Sequence, residues 1–144
     1  TYYNMETPTA YLSFDFENNS SEKLQFVDQS TNSSVPFIVQ YESSQPTLPP
    51  VQWDDVTADK INYSNMLIIL VSPTAATAEN VAREISSARS QNIPIFGVYI
   101  AGATNTTDLP KWFERSRVVN LDWNAIGTKI EQMMKEGKNE LLST

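Results

Sequence analysis

The chain contains no cysteine and no histidine. The first absence excludes disulfides, thiol nucleophiles and cysteine-ligated zinc. The second removes the commonest general base, the Ser-His-Asp triad and histidine-ligated metals. Chemistry must therefore come from carboxylates, hydroxyls, amides or backbone groups, and no metal site is expected. Glycine is scarce, with four in 144 residues. Neither GxGxxG nor GxxxxGK(S/T) occurs, so a bound phosphate would rest on helix N-termini near Asn19 or Ala78. The longest unbroken apolar run is residues 66–71, far short of the ~20 residues a spanning helix needs. Basic side chains are few, ten against seventeen acidic, for a net charge of −7. No basic stripe exists, so neither nucleic acid nor an anionic membrane is expected as a partner. No basic-then-apolar leader pattern opens the sequence, and a cytoplasmic setting is expected.

What is present suits one domain with a single core. The organising stretch is Met66-Leu67-Ile68-Ile69-Leu70-Val71. It reads as a strand buried on both faces, at the middle of a parallel sheet. Ser72 and Pro73 end it, and a loop of small residues leads to a helix over 79–90. There Val81, Ile85 and Ala88 mark the face that packs on the sheet.

Four more strands are expected, at 10–16, 35–41, 93–100 and 118–121. In the first, Tyr11, Ser13 and Asp15 share one face while Leu12, Phe14 and Phe16 share the other. Pro36 cannot donate a ladder hydrogen bond and favours an edge for the second strand. Asn19 and Glu22 have the spacing of a capping box before a short helix with Leu24, Phe26 and Val27. Residues 29–34 read as a turn. A stiff loop with Pro46, Pro49 and Pro50 precedes a helix over 52–63, whose Trp53, Val56, Ala58 and Ile61 read as core. Asp108 and Pro110 signal a short helix over 111–114. Asp122 caps a last helix with Trp123, Ile126, Ile130, Met133 and Met134 inward. Residues 1–9 read as a flexible lead-in, 10–137 as the domain and 138–144 as a tail.

The order βαβαβαβαβα implies one parallel five-stranded sheet with helices on both faces, in the flavodoxin-like layout with strand order 2-1-3-4-5. Its switch point lies between strands one and three, where open α/β sheets bind ligands. Asp15 to Asn19 follow strand one, Ser72 to Thr77 follow strand three, and Glu84 looks in from the next helix. Each has a plainer reading. Glu84 could be a surface glutamate paired with Arg83 or Arg89, and Asp15 a turn residue. Asp54-Asp55 reads as a solvated helix start without a third metal ligand. A response-regulator pocket wants aspartate at the end of strand three, where Ser72 stands.

Four pieces together resemble a known family, the TIR-like domain of Thoeris anti-phage defence. Tyr11 to Asn18 is similar to its opening strand and acidic, Asn-rich loop. Ser64 to Val71 is similar to its third strand. Asn80-Val81-Ala82-Arg83-Glu84-Ile85-Ser86-Ser87-Ala88 resembles its glutamate-bearing helix, and Arg117 to Trp123 its closing strand. The resemblance implies cleavage of the nicotinamide–ribose bond of NAD+, with Glu84 catalytic and NAD+ as substrate rather than cofactor. It implies contacts from Ser13, Phe14, Asp15, Phe16, Asn18, Ser72 and Thr74. It further implies a homo-oligomer, and a downstream effector reached through a diffusible nucleotide. The chain departs from the family at Asn80, where an aromatic is usual, and in residues 72–77, which lack glycine. A silent assembly module and a nucleoside deoxyribosyltransferase-like enzyme are the alternatives. In the last, Glu84 would be a nucleophile.

Overall fold

A computed structural model describes residues 7–137. The readings of residues 1–6 as lead-in and 138–144 as tail lie outside the described residues. Strands β1 (Thr9–Ser13), β2 (Ile38–Glu42), β3 (Met66–Val71), β4 (Ile95–Tyr99) and β5 (Val118–Val119) form one parallel sheet in the order β2-β1-β3-β4-β5. The helices are α1 (Ser20–Asn32), α2 (Pro50–Tyr63), α3 (Glu79–Ser90) and α4 (Trp123–Glu136). This is the α/β flavodoxin-like layout expected from the alternation of strands and helices.

β3 explains why the sheet is covered on both faces. All six of its residues are buried. Met66, Ile68 and Leu70 pack with Phe26 of α1 and with Ile126, Ile130 and Met133 of α4. Leu67, Ile69 and Val71 pack with Ile61 of α2 and with Val81, Ile85 and Ala88 of α3. Period two in the strand thus feeds two cores. Each such side chain contributes about 1.5–3 kcal/mol on burial. Among the described residues no helix is long and apolar enough to cross a membrane.

Several boundaries differ from the sequence reading. β1 stops at Ser13, because Asp15 accepts hydrogen bonds from the amides of Asn18 and Asn19 and turns the chain. α1 continues through 29–32. Its Ser30, Thr31 and Asn32 side chains donate back to carbonyls one turn earlier, so residues that favour turns are accommodated in a helix. Asn19 makes no capping bond to the helix backbone, since its side chain is used elsewhere. Residues 111–114 are not helical. Trp112 has φ of +67°, and a 3-10 turn follows at Arg115–Arg117. Met134 and Val56 are exposed rather than core. Thr9, read as lead-in, already belongs to β1.

One irregularity positions the site. The β1–β2 register shifts between Ala10, which faces Val39, and Tyr11, which faces Tyr41. The extra residue in β2 is a bulge, and it reverses which face each later β2 side chain takes. Glu42 falls on the α1 face, where Lys23 pairs with it. Ser43 falls on the α3 face.

Candidate active site

At the carboxyl end of the sheet, β1 directs Tyr11 and Ser13 toward α3, and α3 directs Glu84 back. The helix stripe Val81, Ile85 and Ala88 is buried on the sheet, and Glu84, beside that stripe, is only 5% exposed. Four donors surround its carboxyl group. Ser13 Oγ and Ser43 Oγ each donate to Oε1 at 2.6 Å. Tyr11 donates from its hydroxyl to Oε2 at 2.9 Å. Asn80 Nδ2, one turn earlier on α3, lies 3.4 Å from Oε1 and donates to the Phe14 carbonyl at 2.8 Å. Neither Arg83 nor Arg89 pairs with Glu84. Arg83 reaches Asp54 at 4.0 Å and Arg89 donates to the Trp112 carbonyl.

Burial raises the Glu84 pKa to about 7, against the pull of its four donors, with no cation among the described residues paired to it. Burial, followed by the negative charge of Glu84, raises Tyr11 far above the ordinary tyrosine value. Tyr11 therefore remains a donor throughout the working pH range. Among the described residues no buried side-chain polar atom lacks a partner, so the cluster is fully satisfied.

Glu84 forms part of the wall of a cleft of about 600 Å3, within the ~300–1,000 Å3 of typical ligand sites. Asp15, Phe16 and Asn18 line the same cleft from the loop after β1. Trp53 and Asp54 of α2, Pro46 of the proline-rich loop and Arg83 of α3 complete much of its wall. Asp15, Glu17, Asp54 and Glu79 make the lining acidic, and Arg83 is its basic residue.

The other expected site residues act behind this wall. Thr74 Oγ1 donates to Asp15 Oδ2 at 2.7 Å, and Asn18 Nδ2 to the same atom at 2.8 Å. Ser72 Oγ donates to Asn19 Oδ1 at 2.6 Å. These bonds tie the loops after β1 and β3 together at the switch point. Ser72 and Thr74 brace the cleft and are not among the residues that line it. The Phe14 side chain is buried in the α1/α4 core, so only its backbone serves the site.

Tyr11, Ser43, Asn80, Trp53 and Arg83 were not among the expected site residues. Tyr11 was legible, because strand alternation puts it on the face of Ser13. Asn80 was legible too, four residues before Glu84 on the same helix face. Trp53 is half-buried on the cleft and is not the core residue its stripe suggested. Ser43 carried no signal, since nothing in residues 38–43 announces the bulge.

Two comparisons bear on this geometry. The family model described as Thoeris protein ThsB, TIR-like domain, matches residues 11–105. No curated protein matches the chain.

Proposed function

The chain belongs to the Thoeris ThsB TIR-like domain family, and from that premise we propose that it cleaves the nicotinamide–ribose bond of NAD+, with Glu84 as the catalytic residue. The ADP-ribose half then becomes a nucleotide signal in anti-phage defence, carried to a separate effector. Self-association of the chain belongs to this reading as well.

The observation that carries the reading is the buried carboxylate of Glu84, paired with no cation among the described residues, on the wall of a cleft at the sheet's switch point. In NAD+ the nicotinamide is already a cationic leaving group. The C1′–N bond breaks with its electron pair going to the ring nitrogen, which becomes neutral. Positive charge then develops on the ribose as an oxocarbenium-like centre. Water, or another nucleophile, adds at C1′ and releases a proton. No general acid is needed, which suits a chain without histidine. A carboxylate fixed beside the ribose stabilises the developing charge, and more strongly where water is excluded. The acidic lining favours the cationic nicotinamide. Phe16 and Trp53 offer aromatic walls for its ring.

The test is NAD+ turnover by wild type and Glu84→Gln, with products resolved by mass spectrometry. High protein concentration and phage-infected lysate supply the conditions for assembly and triggering. Nicotinamide with an ADP-ribose-derived product from wild type alone supports the reading, and the product mass identifies the signal. No consumption under any condition would favour a silent assembly module. A deoxyribosyl adduct on Glu84 would favour the transferase.

A further inference from the structure

The donors around Glu84 are not equivalent. Ser43 and Asn80 belong to a closed ring of hydrogen bonds that passes through one peptide. The Phe14 amide donates to Ser43 Oγ at 3.0 Å. With that lone pair engaged, the Ser43 hydroxyl proton is directed to Glu84 Oε1 at 2.6 Å. On the other side, the Phe14 carbonyl accepts from Asn80 Nδ2 at 2.8 Å. That bond fixes which end of the Asn80 amide faces the site, and the same nitrogen reaches Oε1 at 3.4 Å. The ring runs from Phe14 N through Ser43 and Glu84 to Asn80 and back to Phe14 O.

Ser43 is itself held by its own amide, which donates to Leu12 O at 2.9 Å. It is 3% exposed. Its place depends on the β1–β2 bulge. Without the extra residue, Glu42 would follow the register to the α3 face and bring a second carboxylate toward Glu84. With it, a hydroxyl donor stands there, and Glu42 is turned to Lys23.

We propose that Ser43 and Asn80, both aimed by the Phe14 peptide, are positioning residues that hold Glu84 as a fixed hydrogen-bond acceptor facing the cleft. That the acceptor serves a ribose rests on the activity proposed above; the ring does not. Ser13 and Tyr11 supply the remaining donors from β1, but neither is oriented by the Phe14 peptide.

Donors to a carboxylate favour its ionised form, so their removal has a readable effect. The charged and titratable groups around Glu84 are Tyr11 from β1, Asp15 and Glu17 from the following loop, Asp54 from α2, and Glu79 and Arg83 from α3. None of them is substituted in the variants below.

The experiment is a pH titration of the Glu84 side-chain carboxyl by 13C NMR in glutamate-labelled full-length protein. The signal is assigned by its absence in Glu84→Gln. Ser43→Ala is expected to raise the Glu84 midpoint by about one pH unit, and Asn80→Ala by less. Ser43→Thr, which keeps the hydroxyl, is expected to return the midpoint toward wild type. Where NAD+ is cleaved, the acid limb of the rate profile moves with the midpoint while KM stays nearly constant. A folded Ser43→Ala protein with an unmoved midpoint would overturn the proposal. If Ser43→Ala does not fold, Asn80→Ala decides alone, since Asn80 is half-buried at the cleft. An unmoved midpoint there is equally fatal. Failure of wild type to cleave NAD+ would sink the proposed activity and leave the titration to judge the ring.

Discussion

Glu84 combines two demands that usually conflict. Its carboxyl group is buried, and its four partners are all neutral donors. The folded protein holds its pKa at about 7, against 4.5 for an ordinary glutamate. A folded value above the unfolded one means that the protonated form favours folding. That stability is present in full below about 4.5 and is lost as pH rises through 7. At about 1.4 kcal/mol per pH unit, the gap is worth about 3 kcal/mol. The chain has no histidine, so few other groups titrate between pH 5.5 and 8.5. Wild type should therefore lose several degrees of Tm across that window, at roughly 2–4 °C per kcal/mol. Glu84→Gln should show a much flatter profile. Parallel slopes for the two proteins in scanning calorimetry would contradict the assignment of a perturbed buried carboxyl. The proposed catalysis makes the opposite demand, because the ionised form stabilises cationic charge. Glu84→Gln should lower NAD+ cleavage by at least about a hundredfold, as the loss of a directed electrostatic stabiliser does. The plainer sequence reading makes Glu84 a surface glutamate paired with Arg83 or Arg89. Its burial follows from Tyr11 and Ser13 of β1 and Ser43 after β2 meeting it from across the sheet.

At the scale of elements, β3 and β4 decide the packing. Gly97 lies in β4 opposite Ile69. A Cβ there would stand 2.9 Å from Phe113 Cε2 and 3.0 Å from Val71 Cγ2. Gly97→Ala should destabilise the fold by about 1–3 kcal/mol through overpacking. Urea denaturation reads this as a lower midpoint at unchanged m-value, and an unchanged midpoint would show that Phe113 moves aside freely. Strand and helix order was legible because the signals are local. Six apolar residues in a row, helix stripes at i and i+4, and prolines at loops each specify their own element. The misplaced boundaries have local causes that periodicity does not weigh. In residues 29–32 the polar side chains bond back within the helix, and at 111–114 Trp112 adopts a left-handed backbone. The β1–β2 bulge was invisible for a different reason. It is a property of two strands paired, and it alone puts Ser43 rather than Glu42 beside Glu84.

For the whole molecule, the sheet carries two cores and concentrates its polar chemistry at one end. The Asp15–Thr74 and Asn19–Ser72 bonds close the switch point behind the cleft, while Glu84, Asp15, Phe16 and Trp53 face into it. A family match over residues 11–105 runs from within β1 through β4 and takes in the whole of α3, so every residue that lines the cleft lies within it. The measurement that tests this account most directly is nicotinamide release from NAD+ between pH 5 and 9, by wild type beside Glu84→Gln. The account predicts release by wild type that rises as pH passes through about 7, and none above background by the variant. Equal release by both proteins, or a wild-type rate that falls as Glu84 ionises, would contradict it.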